Sequence, residues 1–414
     1  MTATARAHPV QFGMRVHLDR LPALTLTLLV LLTSFATRPA VAASGTPTIN
    51  ISRAELRKAK PGHVFHIHPQ IGGAPANAKA FRIIYRSTNL KGEPVAVSGT
   101  VIYPAGPAPK EGRNIIAWAH YTTGVAGRCA PTLLPNLSGT IAGLEDMLSR
   151  GYVVVATDYE GLGAPGVHAY LVGLSEARSV IDSVRAARNL SGTHATNRFA
   201  VWGHSQGGHA ALFTGEIAAS YAPELKLVAL ATAAPATNLV ELFKAQKGSI
   251  AGDSLTAMAL LSWSRTYNLP LDSVLDDGAE ARFEKVAESC IQSISQMLRL
   301  LKLALPLKKA FLKADPVQQP AWRDLMQQNS PGAVPIKVPV FIAQGTGDTT
   351  VKPQITLDFA KALCAGGTPV TLRLLKNASH SFAAEKSAYA AVLWLTDRFK
   401  GRPAPNDCAT KRAG

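Results

Sequence analysis

Residues 198–218, RFAVWGHSQGGHAALFTGEIA, pass from an apolar stretch through a glycine-flanked serine into a small-residue helical pattern. Gly203-His204-Ser205-Gln206-Gly207 matches G-x-S-x-G in the strand–turn–helix setting that gives the motif its meaning. A serine on so sharp a turn is driven into an unfavourable backbone region, and small neighbours let the turn close. The following helix directs its positive end towards any oxyanion formed there.

Working outwards, short β-branched runs alternate with helical stretches. Phe81–Arg86 and Val95–Tyr103 read as an early hairpin, and Asn114–Ala119 and Tyr152–Thr157 as buried strands. Phe199–Trp202, Leu227–Ala231, Val338–Ala343 and Val370–Leu375 continue the series. Ser175–Arg188 places Ala177, Val180, Ile181 and Val184 at helical spacing. Continuous apolar strands separated by helices predict an α/β protein, a mostly parallel sheet with helices on both faces. From 238 to 332 the alternation stops, leaving helical patterning punctuated by proline, which predicts a helical cap inserted over the carboxyl ends of the strands. The expected organisation is thus a signal peptide at 1–42, core at 43–237, cap or lid at 238–332 and core again at 333–414.

Serine is a poor nucleophile without a base oriented by a carboxylate. In the α/β-hydrolase fold the chain order is serine, acid, histidine. Asp348 follows the strand VPVFIAQ and His380 follows VTLRLL, both in loops at strand ends, so Ser205, Asp348 and His380 are the candidate triad. Asp158 lies upstream of the serine and Asp182 on a helix, which disfavours both as the acid. His204 and His209 neighbour Ser205 but are expected to point elsewhere, and His120 and His168 to be loop or lining residues. Oxyanion donors are expected from the backbone of Gln206 and of the loop 119–124, with Thr122 favoured over Tyr121.

Composition fits an exported protein. The 414 residues are 47% hydrophobic and 17% charged, too apolar for intrinsic disorder. Basic residues near the start and the uncharged run 21–36 precede Ala40-Val41-Ala42, the pattern of a cleaved secretory signal with Met1 or Met14 as start. Four cysteines, Cys129, Cys290, Cys364 and Cys408, suggest two disulfides with three connectivities open, and no Cys/His spacing suggests zinc. The net charge of +16 has no nucleic-acid-binding motif behind it. The amphipathic segment 291–313 carries lysine and arginine among leucines, which suits a packed cap helix or one lying on an anionic lipid surface.

The segments FRIIYRSTNLKGEPVAVSGTVIYP, AWAHYTTGVAGRCAP, TDYEGLGAPGVHAYLVG, WGHSQGGHAALF, QNSPG and VPVFIAQGTGDTTVKP together span most of the exported chain. They resemble the secretory lipase family, α/β-hydrolases of the Candida antarctica lipase A type. The resemblance implies the same triad, disulfides Cys129–Cys290 and Cys364–Cys408, and a helical lid. Tyr121 stands where many hydrolases carry glycine. The expectation is a secreted, cofactor-free serine ester hydrolase, read first as a triacylglycerol lipase, with a monomer favoured and with transient lipid contact through the cap as the alternative to a packed cap. The alternative on the same triad is a short-chain or aryl esterase, a polyester depolymerase or a peptidase.

Overall fold

The middle strands of the sheet have side chains buried on both faces, as in Val153–Thr157 and Val340–Gly345. In the computed structural model, which describes residues 49–305 and 312–408, the sheet has nine strands. They are β1 Val64–Pro69, β2 Ala78–Thr88, β3 Pro94–Pro104, β4 Arg113–Ala119, β5 Val153–Thr157, β6 Ala195–His204, β7 Lys226–Ala233, β8 Val340–Gly345 and β9 Val370–Leu375. The order is β1-β2-β3-β5-β4-β6-β7-β8-β9. β1 to β3 form an antiparallel meander whose last strand pairs antiparallel with β5. From β5 to β9 every pairing is parallel. The α/β-hydrolase expectation is borne out. The signal segment and Lys308 and Lys309 lie outside the described residues.

The helices are α1 Arg53–Lys58, α2 Leu144–Ser149, α3 Gly173–Asn189, α4 Gln206–Tyr221, α5 Leu239–Gln246, α6 Ile250–Tyr267, α7 Glu280–Ala287, α8 Ile294–Ala304, α9 Pro320–Gln328, α10 Pro353–Ala365 and α11 Ala383–Phe399. Alternation along β4 sorts its side chains to opposite faces. Ile115, Ala117 and Ala119 join a core with Val180 and Ile181 of α3, Leu212 of α4 and Phe359 of α10. Ile116 and Trp118 face the other way, to Met147 of α2 and Val392 and Leu395 of α11. Both layers are apolar, so the sheet is held centrally and its carboxyl ends emerge together.

Helices α5 to α9 fall between β7 and β8 and build a third core around Trp263, Phe283 and Trp322. That core also takes in Tyr170, Val172 and Val351, which belong to loops at the strand ends. The cap is thereby seated on the loops that carry the candidate site. Two disulfides tie the periphery: Cys129–Cys290 and Cys364–Cys408, with no free cysteine among the described residues. The second holds the tail against β9, where Asp407 donates its N–H to the Val370 carbonyl and accepts from Leu372 N–H. The edge of the sheet is covered there.

Candidate active site

The turn between β6 and α4 is as tight as its sequence requires. Ser205 has φ 57° and ψ −116°, a strained conformation for a residue with a side chain. A Cβ on Gly203 would stand 2.1 Å from the Gly207 carbonyl oxygen, and one on Gly207 would stand 1.8 Å from that of Ala119. Only glycine fits at either position, which explains the spacing of the motif. The strain is carried by bonds from the Ser205 N–H to Ala233 O and from the His209 and Ala236 N–H groups to Ser205 O.

Three loops then converge. Ser205 Oγ lies 2.8 Å from His380 Nε2, and His380 Nδ1 lies 2.8 Å from Asp348 Oδ2. The carboxylate is buried and heavily solvated by protein. Its Oδ1 accepts from the Thr350 and Val351 N–H groups, each at 2.8 Å, and its Oδ2 also accepts from Gln344 Nε2 at 3.2 Å. Gln344, fully buried on β8, is fixed in turn by the Thr356 hydroxyl at its Oε1. These donors fix the carboxylate in one orientation, with Oδ2 turned to His380.

Gln206, the first residue of α4, has no intrahelical acceptor for its N–H. Its side chain is locked from below: Nε2 donates to Glu176 Oε1 at 2.8 Å and to His168 Nε2 at 3.1 Å. That makes His168 Nε2 the acceptor, so its Nδ1–H donates to Glu160 O at 2.9 Å. Burial pushes His168 down to about 3, in keeping with a neutral ring. Glu176 also accepts from the Leu171 N–H and pairs with His209 Nδ1 at 2.7 Å. His209 Nε2 faces Asn329 O at 2.7 Å, so the ring bridges α3 and the end of α9.

Thr122 and Tyr121 both border the site, and the Thr122 hydroxyl is 3.0 Å from Tyr170 Oη. Tyr170 is held by Ser262 and Trp263 of α6, so the cap steadies the loop at Thr122. Behind this loop Asp158 accepts from the Ser98 and Thr132 hydroxyls and the Thr132 N–H. Burial raises its pKa, and its partners are all spent on structure. His120 and His168 are loop residues, one of the two placements expected, and are buried rather than lining the cavity, their rings engaged by backbone and amide partners. The His204 ring meets the backbone of His380 and not the serine hydroxyl: its Nε2 approaches the His380 carbonyl oxygen at 3.0 Å. No cluster of three or more metal-ligating side chains occurs among the described residues.

Above Ser205 opens a cavity of about 780 Å³. Leu242, Phe243 and Met258 of α5 and α6 form one wall, and Met297, Leu300 and Leu301 of α8 another. The site therefore sets a serine hydrogen-bonded to a histidine at the floor of an apolar chamber.

The family model for secretory lipases matches residues 139–407. The chain belongs to the secretory lipase family. It is an ester hydrolase. Lipase A of Moesziomyces aphidis is 27% identical over 362 residues, covering 82% of this chain and 76% of that one. A relative in Mycobacterium tuberculosis named a probable inactive lipase is 26% identical over 351 residues, covering 80% and 76%. Among solved structures, Candida antarctica lipase A superposes with a TM-score of 0.73 at 21% identity, over 86% of each chain. The fold of this chain is thus shared with a protein only 21% identical to it.

Proposed function

We propose that the protein is a secreted triacylglycerol lipase that works through an acyl-enzyme on Ser205. The observation that carries this reading is the continuous chain of 2.8 Å contacts from Ser205 Oγ through His380 to Asp348, opening on an apolar chamber. Ser205 Oγ attacks the ester carbonyl while His380 Nε2 takes its proton. Asp348 keeps the imidazole proton on Nδ1 and stabilises the imidazolium. The tetrahedral oxyanion is held by the Gln206 N–H and by the backbone at Thr122. His380 then protonates the leaving alcohol, and water repeats the sequence to release the acid.

The cap supports a lipid substrate. Leu298 on α8 and Leu305 just past its end are exposed, with Arg299 and Lys302 beside them, and the same helix borders the chamber through Ile294, Met297, Leu300 and Leu301. Such a helix suits contact with a lipid surface. Both disulfides suit an oxidising exterior.

The test is hydrolysis of p-nitrophenyl esters from acetate to palmitate, with and without an emulsion, alongside the Ser205→Ala variant. The expected result is loss of at least about 10³-fold in the variant, and a gain for long chains at the interface. Undiminished hydrolysis by Ser205→Ala would refute the mechanism. Flat activity with no interfacial gain would turn the reading to an esterase on the same triad. Failure of a fluorophosphonate to label Ser205 would point to a non-catalytic protein, the condition named for the mycobacterial relative.

A further inference from the structure

His204 occupies the variable position immediately before the nucleophile, and the motif asks nothing of its side chain. Its ring is nevertheless buried, 5.5 Å from the ring of Tyr121 and 5.1 Å from that of His380. We propose that His204 is a positioning residue, whose Nε2–H donates to the His380 carbonyl and so fixes the base relative to the nucleophile next door. This rests on the triad reading above.

The hydrogen-bond chemistry assigns the proton. A carbonyl oxygen only accepts, so the 3.0 Å contact requires hydrogen on Nε2 of His204. Burial, with the neighbouring His380 adding to it, pushes His204 down to about 3, so the ring is neutral and donates from Nε2 alone. The same carbonyl accepts the Ala383 N–H that closes the turn 380–382. Both of its lone-pair directions are used.

The arrangement gives two attachments between one dipeptide and one histidine. Ser205 meets the His380 ring at Nε2, and His204 meets the His380 backbone. Upstream, the loop is tied through Gly347 N–H to Ala378 O and Asn377 N–H to Thr346 Oγ1, and Phe382 N–H to Ser379 O closes the turn. At His380 the backbone is fixed by Ala383 behind and His204 in front. Because His204 follows the elbow, any displacement of the nucleophile carries its tether along, and the Oγ–Nε2 separation is preserved. Misplacing reacting groups by about 1 Å lowers rates by about 10²-fold, which sets the scale of the effect.

The experiment compares His204→Phe, which keeps an aromatic ring without the donor, with His204→Gln, which restores an N–H. Each is measured for kcat and KM on p-nitrophenyl butyrate, for the rate of Ser205 phosphonylation and for Tm. His204→Phe is expected to lose about 10- to 100-fold in kcat and in phosphonylation, with KM within about twofold. His204→Gln should recover most of that loss. A His204→Phe kcat within about threefold of the parent overturns the proposal, as does a loss that tracks Tm and is not restored by glutamine. Nitrogen NMR of the unmodified enzyme tests the same point without a variant: a His204 protonated on Nδ1 overturns it. If the unmodified enzyme itself is neither active nor phosphonylated, it is the triad reading that fails.

Discussion

Replacing Asp348 by asparagine separates charge from geometry, and the structure dictates how the new side chain must lie. Oδ1 takes the Thr350 and Val351 N–H groups at 2.8 Å each. Turning an amide nitrogen towards them would orphan two buried donors, at about 1–3 kcal/mol apiece. The asparagine oxygen therefore occupies the Oδ1 position, and its NH2 replaces Oδ2, facing His380 Nδ1 and Gln344 Nε2. Nδ1 must then accept, which moves the imidazole proton to Nε2 and leaves Ser205 facing a donor where it needs a base. The wrong tautomer in a serine triad is worth about 10⁴ in kcat, or about 5.5 kcal/mol of activation free energy. KM should stay within about threefold, since nothing in the chamber changes. Two N–H groups facing each other at Gln344 should also lower stability by about 1–3 kcal/mol. The assay is steady-state hydrolysis of p-nitrophenyl butyrate, with nitrogen NMR to locate the His380 proton and urea unfolding for stability. A kcat loss under about tenfold, or a His380 still protonated on Nδ1, would refute the reasoning.

Gly207→Ala should displace the elbow or the end of β4, because its Cβ would lie 1.8 Å from Ala119 O. A stability loss of about 3 kcal/mol or more and near-complete loss of fluorophosphonate labelling are expected, while Gly106→Ala, with nothing within 4 Å, should be neutral by both measures. His168 makes stability acid-sensitive. Its folded pKa of about 3 lies below the unfolded value of about 6.5, so its contribution is complete above 6.5 and is lost as pH falls towards 3. Urea unfolding of His168→Gln between pH 6 and 4 should show a slope smaller by about 1.4 kcal/mol per pH unit than the parent; equal slopes would contradict a neutral buried His168.

The parallel strands were legible because burial on both faces writes an uninterrupted apolar run, as in Val153–Thr157. β1 was not, because it is an edge strand, VFHIHP, in which histidines replace the apolar alternation and a proline ends the run. The meeting of Ser205, His380 and Asp348 was legible through order and strand-end position, two properties fixed by the topology. The layer beneath it was harder to see. Glu176 stands one helical turn before Val180, on the apolar face of α3, and a lone charge there is the signal that a buried partner exists. Nothing in the sequence names that partner as His209 and Gln206, because the pairing spans two helices. Gln344 looked like the polar end of a strand. Its task of holding the acid depends on a loop that folds back over it. The side chain of His204 was equally silent, since its partner is a backbone oxygen 176 residues away.

The disulfide Cys129–Cys290 has a mechanical meaning for the cap. It joins the loop that carries Thr122 to the chain four residues before α8. Ile291 N–H to Thr123 O and Gln292 Nε2 to Cys129 O add two further ties at the same place. Helix α8 is therefore pivoted at its amino end on the rim of the reaction centre. An outward swing of its far end would have the shortest lever arm beside Ser205 and the longest at Leu305. Any movement of α8 must turn about this tie, which keeps the base of the helix and Thr123 together.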